Sequence, residues 1–291
     1  MKITNKLGLP EAFVKMAERD YEYKDKQYSV TGLLKPVRQS ILERRYYGEI
    51  EEDVSDMIWL LFGTAVHNIL DHQEEGVHEF KEEHLVIDDI GEYKLSGYFD
   101  LYNSKTKTVT DYKTCSVWKV IYGDYEDWER QLLMYAYMLR HIGFEVEKGE
   151  VIAILKDHSK AQAKYKKDYP ELPVKKITFE FTEDDFKTID IFIKDKFEVI
   201  KHAEGLPDEK LPMCTLEERF NEGKKYAVMK KNRKRAMRVL DTMAEAEKWM
   251  KDKGGDYIDI REGEDKKCHD YCRVNTFCPY YRKKYMKEDV Q

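Results

Sequence analysis

Asp111-Tyr112-Lys113 sets a carboxylate and an ammonium two residues apart, inside a segment, residues 109–114, that reads as a strand. Residues two apart on an extended strand share a face, so the two charges point the same way. A second carboxylate, Asp100, stands in Gly97-Tyr98-Phe99-Asp100-Leu101-Tyr102, within a strand signal over residues 94–102. The two segments flank a polar, turn-forming run, Asn103-Ser104-Lys105-Thr106-Lys107, so an antiparallel hairpin can bring Asp100 opposite Asp111. Two carboxylates at one spot persist only where a cation, a proton or solvent compensates them. All-oxygen ligation suits Mg²⁺ or Mn²⁺, which keep positions open for phosphates and water. Lys113 then adds positive charge where phosphoryl transfer accumulates negative charge, and it can orient or deprotonate an attacking water.

Other elements must hold this hairpin. Ser29 reads as the cap of a helix start, with a charged helix over residues 38–45. Residues 57–70 form a helix bearing His67, with apolar residues dense enough for burial on most sides. A strand is expected over residues 83–87. Apolar residues at helical spacing over 128–142 predict a helix that puts Gln131 and Tyr135 on one face. Strands over residues 151–155 and 177–181 and a helix over 183–202, capped at Thr182, follow. A Pro- and Gly-containing loop spans 205–214, and residues 226–229 with 236–240 form a basic hairpin. A helix over 244–251 and a cysteine-bearing tail come last. The expected organisation is a core over residues 1–205 and a basic hairpin with its cysteine region over 206–291, closing onto the core.

Three cysteines of that tail, Cys268, Cys272 and Cys278, fall within eleven residues, close enough to share one metal or cluster. Cys214, in the irregular loop, is the best fourth ligand; His269 ranks below it, and Cys115 is left as a packed or free thiol. Five cysteines in 291 residues make no disulfide scaffold. At 42% hydrophobic residues the chain can bury a core, which excludes disorder. The apolar run beginning at Met57 is too short to span a membrane, and residues 1–6 lack a signal-like stretch, so a soluble, cytoplasmic protein is expected. The net charge of −6 hides segregation: residues 224–238 carry +8 and residues 266–287 carry +6, leaving −20 on the rest. The two basic stretches, with Tyr226, Tyr280, Tyr281 and Tyr285, can track phosphates and stack bases.

Gly63-Thr64-Ala65-Val66-His67, Gly97-Tyr98-Phe99-Asp100, Asp111-Tyr112-Lys113-Thr114 and Gln131-Leu132-Leu133-Met134-Tyr135 occur in an order and spacing that resembles the RecB-like branch of the PD-(D/E)XK nucleases. That branch includes CRISPR-associated adaptation nucleases and phage-type exonucleases. The resemblance spans residues 29–155 by motif and reaches the tail through the cysteines. It implies an α/β fold: a restriction-endonuclease-like mixed central sheet flanked by helices, with a helical N-terminal region and a cysteine-cluster C-terminal tail. It makes His67, Asp100, Asp111 and the Tyr112 carbonyl metal ligands, Lys113 the catalytic lysine, and Gln131 with Tyr135 the Gln-x-x-x-Tyr motif. Phe99 stands where the superfamily's name has Pro. A helical glutamate found in some members has no clear equivalent, Glu82 and Glu83 being the nearest residues.

In that family a similar tail with one distant cysteine holds a 4Fe-4S cluster; here the distant cysteine, Cys214, comes after the core rather than before it, and zinc is the alternative occupant. The resemblance further implies DNA as substrate, as single strands or duplex ends, cut by an exonuclease with Mg²⁺ or Mn²⁺. A helicase or recombination partner and a phage or mobile-element origin are its remaining implications. A non-catalytic DNA-binding or assembly subunit that keeps a nuclease fold, and a sequence-specific endonuclease, are the alternatives.

Overall fold

The computed structural model describes residues 1–18, 23–73 and 85–286. The chain divides into two compact units, Met1–Lys35 with Tyr47–Gly205, and Pro36–Tyr46 with Leu206–Gln291. The first strand and helix are β1 (Lys2–Thr4) and α1 (Glu11–Ala17), followed by β2 (Gln27–Ser29) and α2 (Val30–Leu34). Ser29 Oγ accepts the Gly32 amide at 3.0 Å and so starts α2 where the sequence places a cap. The charged helix α3 (Val37–Arg45) is grouped with the second unit, whereas the sequence places everything before residue 206 in one core. Its tie is physical: the buried Arg38 guanidinium bonds the Leu211 and Pro212 carbonyls, far along the chain.

The first unit resumes with β3 (Glu51–Asp53), α4 (Ile58–Gln73), β4 (Leu85–Ile90), β5 (Tyr93–Gly97), β6 (Leu101–Asn103) and β7 (Thr108–Cys115). Then come α5 (Val117–Tyr122), α6 (Glu126–His141), β8 (Lys148–Leu155), α7 (Lys160–Tyr165), β9 (Val174–Glu180) and α8 (Glu183–Glu204). One sheet has the order β6-β7-β8-β9, another β2-β5-β4, and β1 pairs with β3. Within the four-stranded sheet β7 and β8 are parallel, while β6 and β9 are antiparallel to their neighbours, so the sheet is mixed. The crossover between the parallel strands is α6, whose Leu132, Met134, Met138 and Leu139 are fully buried. Alternate residues of β8, Val151, Ala153 and Leu155, are buried, as expected of a strand with one covered face. Asp185 and Thr182 form a capping box at the start of α8.

Two expectations are corrected in this unit. The strand signal over residues 94–102 is two strands in two sheets, because the chain bends at Tyr98-Phe99-Asp100 between β5 and β6. Helix α4 is not buried on most sides: Trp59, Leu60, Phe62 and Ile69 are exposed. Only one face, marked by Gly63, lies on β7; a Cβ there would sit 3.3 Å from Thr114 Oγ1. The expected strand over 83–87 begins outside the described residues, as do Glu82 and Glu83.

The second unit adds β10 (Lys225–Met229), β11 (Arg238–Leu240), α9 (Met243–Lys253), β12 (Tyr257–Arg261), α10 (Lys266–Asp270) and α11 (Pro279–Tyr285) to α3. The expected basic hairpin is β10 with β11, but β12, which the sequence reading lacks, pairs on the other side of β10 to complete a three-stranded sheet. Among the described residues no helix is long and apolar enough to cross a membrane.

Candidate active site

β7 presents Asp111 and Lys113 on one face, and its pairing with β6, Leu101 opposite Thr110, brings Asp100 alongside Asp111. The bend before β6 lets the Asp100 carboxylate act where a strand neighbour would. Its Oδ2 accepts the Tyr112 amide at 2.6 Å, and its Oδ1 lies 3.1 Å from His67 Nδ1 on α4. That bond to Asp100 pushes the His67 imidazole above its usual range, against a smaller opposing effect of burial. The Tyr112 ring packs edge-on to His67, with centroids 6.2 Å apart.

From the other side α6 supplies Gln131 and Tyr135, one turn apart and both buried. Gln131 Oε1 accepts from Lys113 Nζ at 3.0 Å. Its Nε2 donates to the Tyr135 hydroxyl at 3.0 Å and to Asp111 Oδ1 at 3.3 Å. Gln131 is therefore a clamp, fixing the ammonium and the carboxylate relative to one another. Lys113 Nζ also stands 2.8 Å from Asp111 Oδ2, so the buried carboxylate is ion-paired with the ammonium. Burial pushes the Asp111 carboxyl above the usual carboxylate range, with the Lys113 charge opposing and Asp100 adding to the rise. Burial likewise raises the Tyr135 phenol.

The Tyr135 ring is seated against a backbone that tolerates no side chain: a Cβ on Gly97 would lie 2.8 Å from Tyr135 Cε1 and 3.1 Å from Val30 Cγ2. Gly97→Ala is expected to destabilise the protein by about 1–3 kcal/mol and to displace the Gln131 clamp. Thermal melting with a parallel assay of the site checks this; a Gly97→Ala protein with unchanged melting and activity contradicts the account.

Every residue expected at this site, His67, Asp100, Asp111, Tyr112, Lys113, Gln131 and Tyr135, is brought into one connected network. Among the described residues, no three His, Cys, Asp or Glu side chains form a group that could hold a metal ion as placed. The donor chemistry nonetheless fits a hard divalent cation: two carboxylates, one of them buried, and an imidazole that meets Asp100 through Nδ1 alone.

In the second unit, Cys214, Cys268, Cys272 and Cys278 line a single cavity, shared with Arg38 and Arg219. All four are free thiols. Burial, then the charges of Glu218 and the other three cysteines, pushes Cys214 up to about 12, and burial pushes Cys268 to about 11. His269 packs against Tyr281 and Tyr285 and does not line the cavity. Arg38, read from the sequence only as part of a charged helix, lies 3.8 Å from Cys278 Sγ.

Three of the four tyrosines expected to stack bases have partners of their own. Tyr280 and Tyr285 donate to the fully buried Asp265 at 2.6 and 2.7 Å, and the Tyr281 hydroxyl lies 3.1 Å from His269 Nδ1. The basic hairpin is also partly neutralised, since Lys224 pairs with Glu262 and Lys225 with Asp241. Lys230, Lys231, Arg233, Lys234 and Arg235 remain exposed at its tip. A third basic run, in the first unit, went unread: five lysines and one acid over residues 156–167.

A family model described as the PD-(D/E)XK nuclease superfamily matches residues 6–279 of the chain. A solved structure, that of SSO0001, is similar with a TM-score of 0.46 and 17% identity, over 65% of this chain and 83% of that one. No curated protein matches significantly.

Proposed function

The chain belongs to the PD-(D/E)XK nuclease superfamily, whose members typically use divalent metals such as Mg²⁺, and on that premise we propose that it is a Mg²⁺- or Mn²⁺-dependent deoxyribonuclease of exonuclease type. The observation that carries the reading is the Gln131 clamp, which sets Lys113 beside Asp111 while Asp100 and His67 close the other side. His67, Asp100, Asp111 and the Tyr112 carbonyl are the groups that would hold the cation. When bound, it supplies Lewis acidity and charge neutralisation to the phosphodiester.

An ammonium has three N–H donors. Lys113 directs one to Gln131 and faces Asp111 with another, leaving the third for a phosphoryl oxygen or the attacking water. Its fixed charge offsets the negative charge that grows as water adds to phosphorus and the bridging oxygen leaves. Gln131 and Tyr135 act through Lys113 as positioning residues.

The test is digestion of linear and circular DNA across a divalent-ion screen. Linear DNA should be degraded in Mg²⁺ or Mn²⁺ and covalently closed circles spared. Discrete cuts in circles would make it an endonuclease. DNA binding without cleavage in any ion would make it a non-catalytic subunit on a retained nuclease fold.

The four cysteines are proposed to hold a structural 4Fe-4S cluster, or zinc in its place. Their convergence on one cavity supports this, as does the energetic cost of four thiolates side by side without a cation. Protein purified without oxygen should carry iron with acid-labile sulfide, or zinc, and Cys272→Ser should lose it. Protein containing neither metal removes this proposal and leaves the active-site reading intact.

A further inference from the structure

The parallel strands β7 and β8 leave their sheet side by side: the Lys156 amide, just after β8, donates to the Cys115 carbonyl at 3.0 Å. Beyond that edge lies a surface used by nothing described above. Lys156 Nζ sits 4.0 Å from the centre of the Trp59 ring, on α4 one turn ahead of the Gly63 that packs on Thr114. Directly after β7, α5 carries Trp118 and Tyr122 with their rings stacked, centroids 5.8 Å apart. Directly after β8, α7 carries exposed Lys160 and Lys164. Trp59 is 61% exposed, Trp118 49% and Tyr122 77%.

Scattered apolar residues at a surface are ordinary, but two tryptophans and a tyrosine left open around one strand edge, interleaved with lysines, are not. The one acid within residues 156–167, Asp157, is occupied, accepting from Ser116 Oγ at 2.6 Å and the Val117 amide at 2.7 Å. It therefore caps α5, and its single charge is outnumbered by the five lysines of the run.

We propose that this ridge is a track for single-stranded nucleic acid leading to the Asp100–Asp111–Lys113 site, with bases stacked on Trp59, Trp118 and Tyr122 and phosphates met by Lys156, Lys160 and Lys164. The proposal rests on the nuclease reading of that site and names the strandedness of its substrate. Aromatic faces are useful to unpaired bases, whereas a duplex hides its bases in its own stack. The reach is right: the five residues from Asp111 to Ser116 span about 16 Å of strand, roughly five stacked nucleotides. A lysine lying on the Trp59 ring, with further exposed lysines on α7, matches a polyanion better than an apolar protein face.

The experiment measures fluorescence anisotropy of a labelled oligo(dT) of about 20 nucleotides, and of a blunt duplex, in EDTA so that nothing is cut. Trp118→Ala with Tyr122→Ala should weaken oligo(dT) binding by about 10- to 100-fold, change duplex binding little, and leave the salt dependence unaltered. Lys156→Ala, Lys160→Ala and Lys164→Ala combined should lower the slope of log affinity against log salt by about two. All substituted side chains are surface groups, and unchanged thermal melting confirms that the variants fold.

Oligo(dT) affinity equal to the unmodified protein's, or an equal loss on both ligands, overturns the ridge. Cleavage assayed on the same proteins separates the two readings. Active protein whose oligo(dT) binding ignores the aromatic changes refutes the track and keeps the nuclease. Inactive protein whose binding collapses with them supports the track and removes the nuclease.

Discussion

Asp111→Asn abolishes DNA cleavage, by roughly 10²- to 10³-fold or more, and leaves the metal-free protein at least as stable as before. Lys113→Ala has the same kinetic effect. The two halves of the first expectation come from one fact, that Asp111 is buried beside Asp100 at a cost the Lys113 charge does not fully offset. Its carboxyl is pushed up in the folded state, so the folded chain holds the proton more tightly than the unfolded chain does. Stability from this group is therefore greatest below the ordinary carboxylate range and is lost as pH rises through the folded value.

At neutral pH the ionised group strains the fold, and an uncharged isostere relieves it. Melting in EDTA should show Asp111→Asn equal to or above the unmodified protein at pH 8, with the difference shrinking towards pH 4. Mg²⁺ should raise the melting temperature of the unmodified protein and not that of the variant, because only the former gains a ligand. A variant that melts well below the parent in EDTA, or that still cleaves, contradicts the account.

Asp265→Ala is expected to unfold the second unit. The side chain is wholly buried and accepts from Tyr280, Tyr285, Lys284 and Asn221 at 2.5–2.9 Å, with Arg219 3.2 Å away. Burial alone would raise its carboxyl, but Tyr280, Asn221, Lys284 and Tyr285 together hold it well below the usual range. Removing it orphans two cations and two hydroxyls at once, a change that costs about 3–5 kcal/mol for a buried pair. Limited proteolysis should open residues 206–286 while the first unit resists. The lowered carboxyl contributes stability above the unfolded value and loses it as pH falls below about 4. Acid should thus loosen this unit, and an unchanged digestion pattern in Asp265→Ala would show that the cluster pins nothing.

The active site was legible because its geometry is local. Asp111 and Lys113 share a face by strand periodicity, Gln131 and Tyr135 by helix periodicity, and the hairpin turn at Asn103 fixes the register that brings in Asp100. What escaped depends on contacts distant in sequence. Apolar density in residues 57–70 indicates burial, yet density alone cannot say that Trp59, Leu60, Phe62 and Ile69 stay exposed. The tyrosines of α11 read as stacking groups because nothing in their spacing reveals that Asp265 collects the hydroxyls of Tyr280 and Tyr285. The bend at Tyr98–Asp100 was hidden by β-favouring residues on both sides of it. Strand β12 went unread although the sequence carries its signal, Ile258 and Ile260 alternating with Tyr257, Asp259 and Arg261.

The grouping of α3 with residues beyond 205 also sets an order of events during synthesis. Arg38 leaves the ribosome early, but its acceptors are the carbonyls of Leu211 and Pro212 and the sulfur of Cys278, the last 240 residues later. At ordinary translation rates of about 5–20 residues per second, that guanidinium waits roughly 10–50 s for its last partner. Meanwhile the first unit has all its strands and can close around the nuclease site. The hydrolytic half of the molecule is thus able to mature before the cysteine half exists, and α3 is the segment that must stay uncommitted in between.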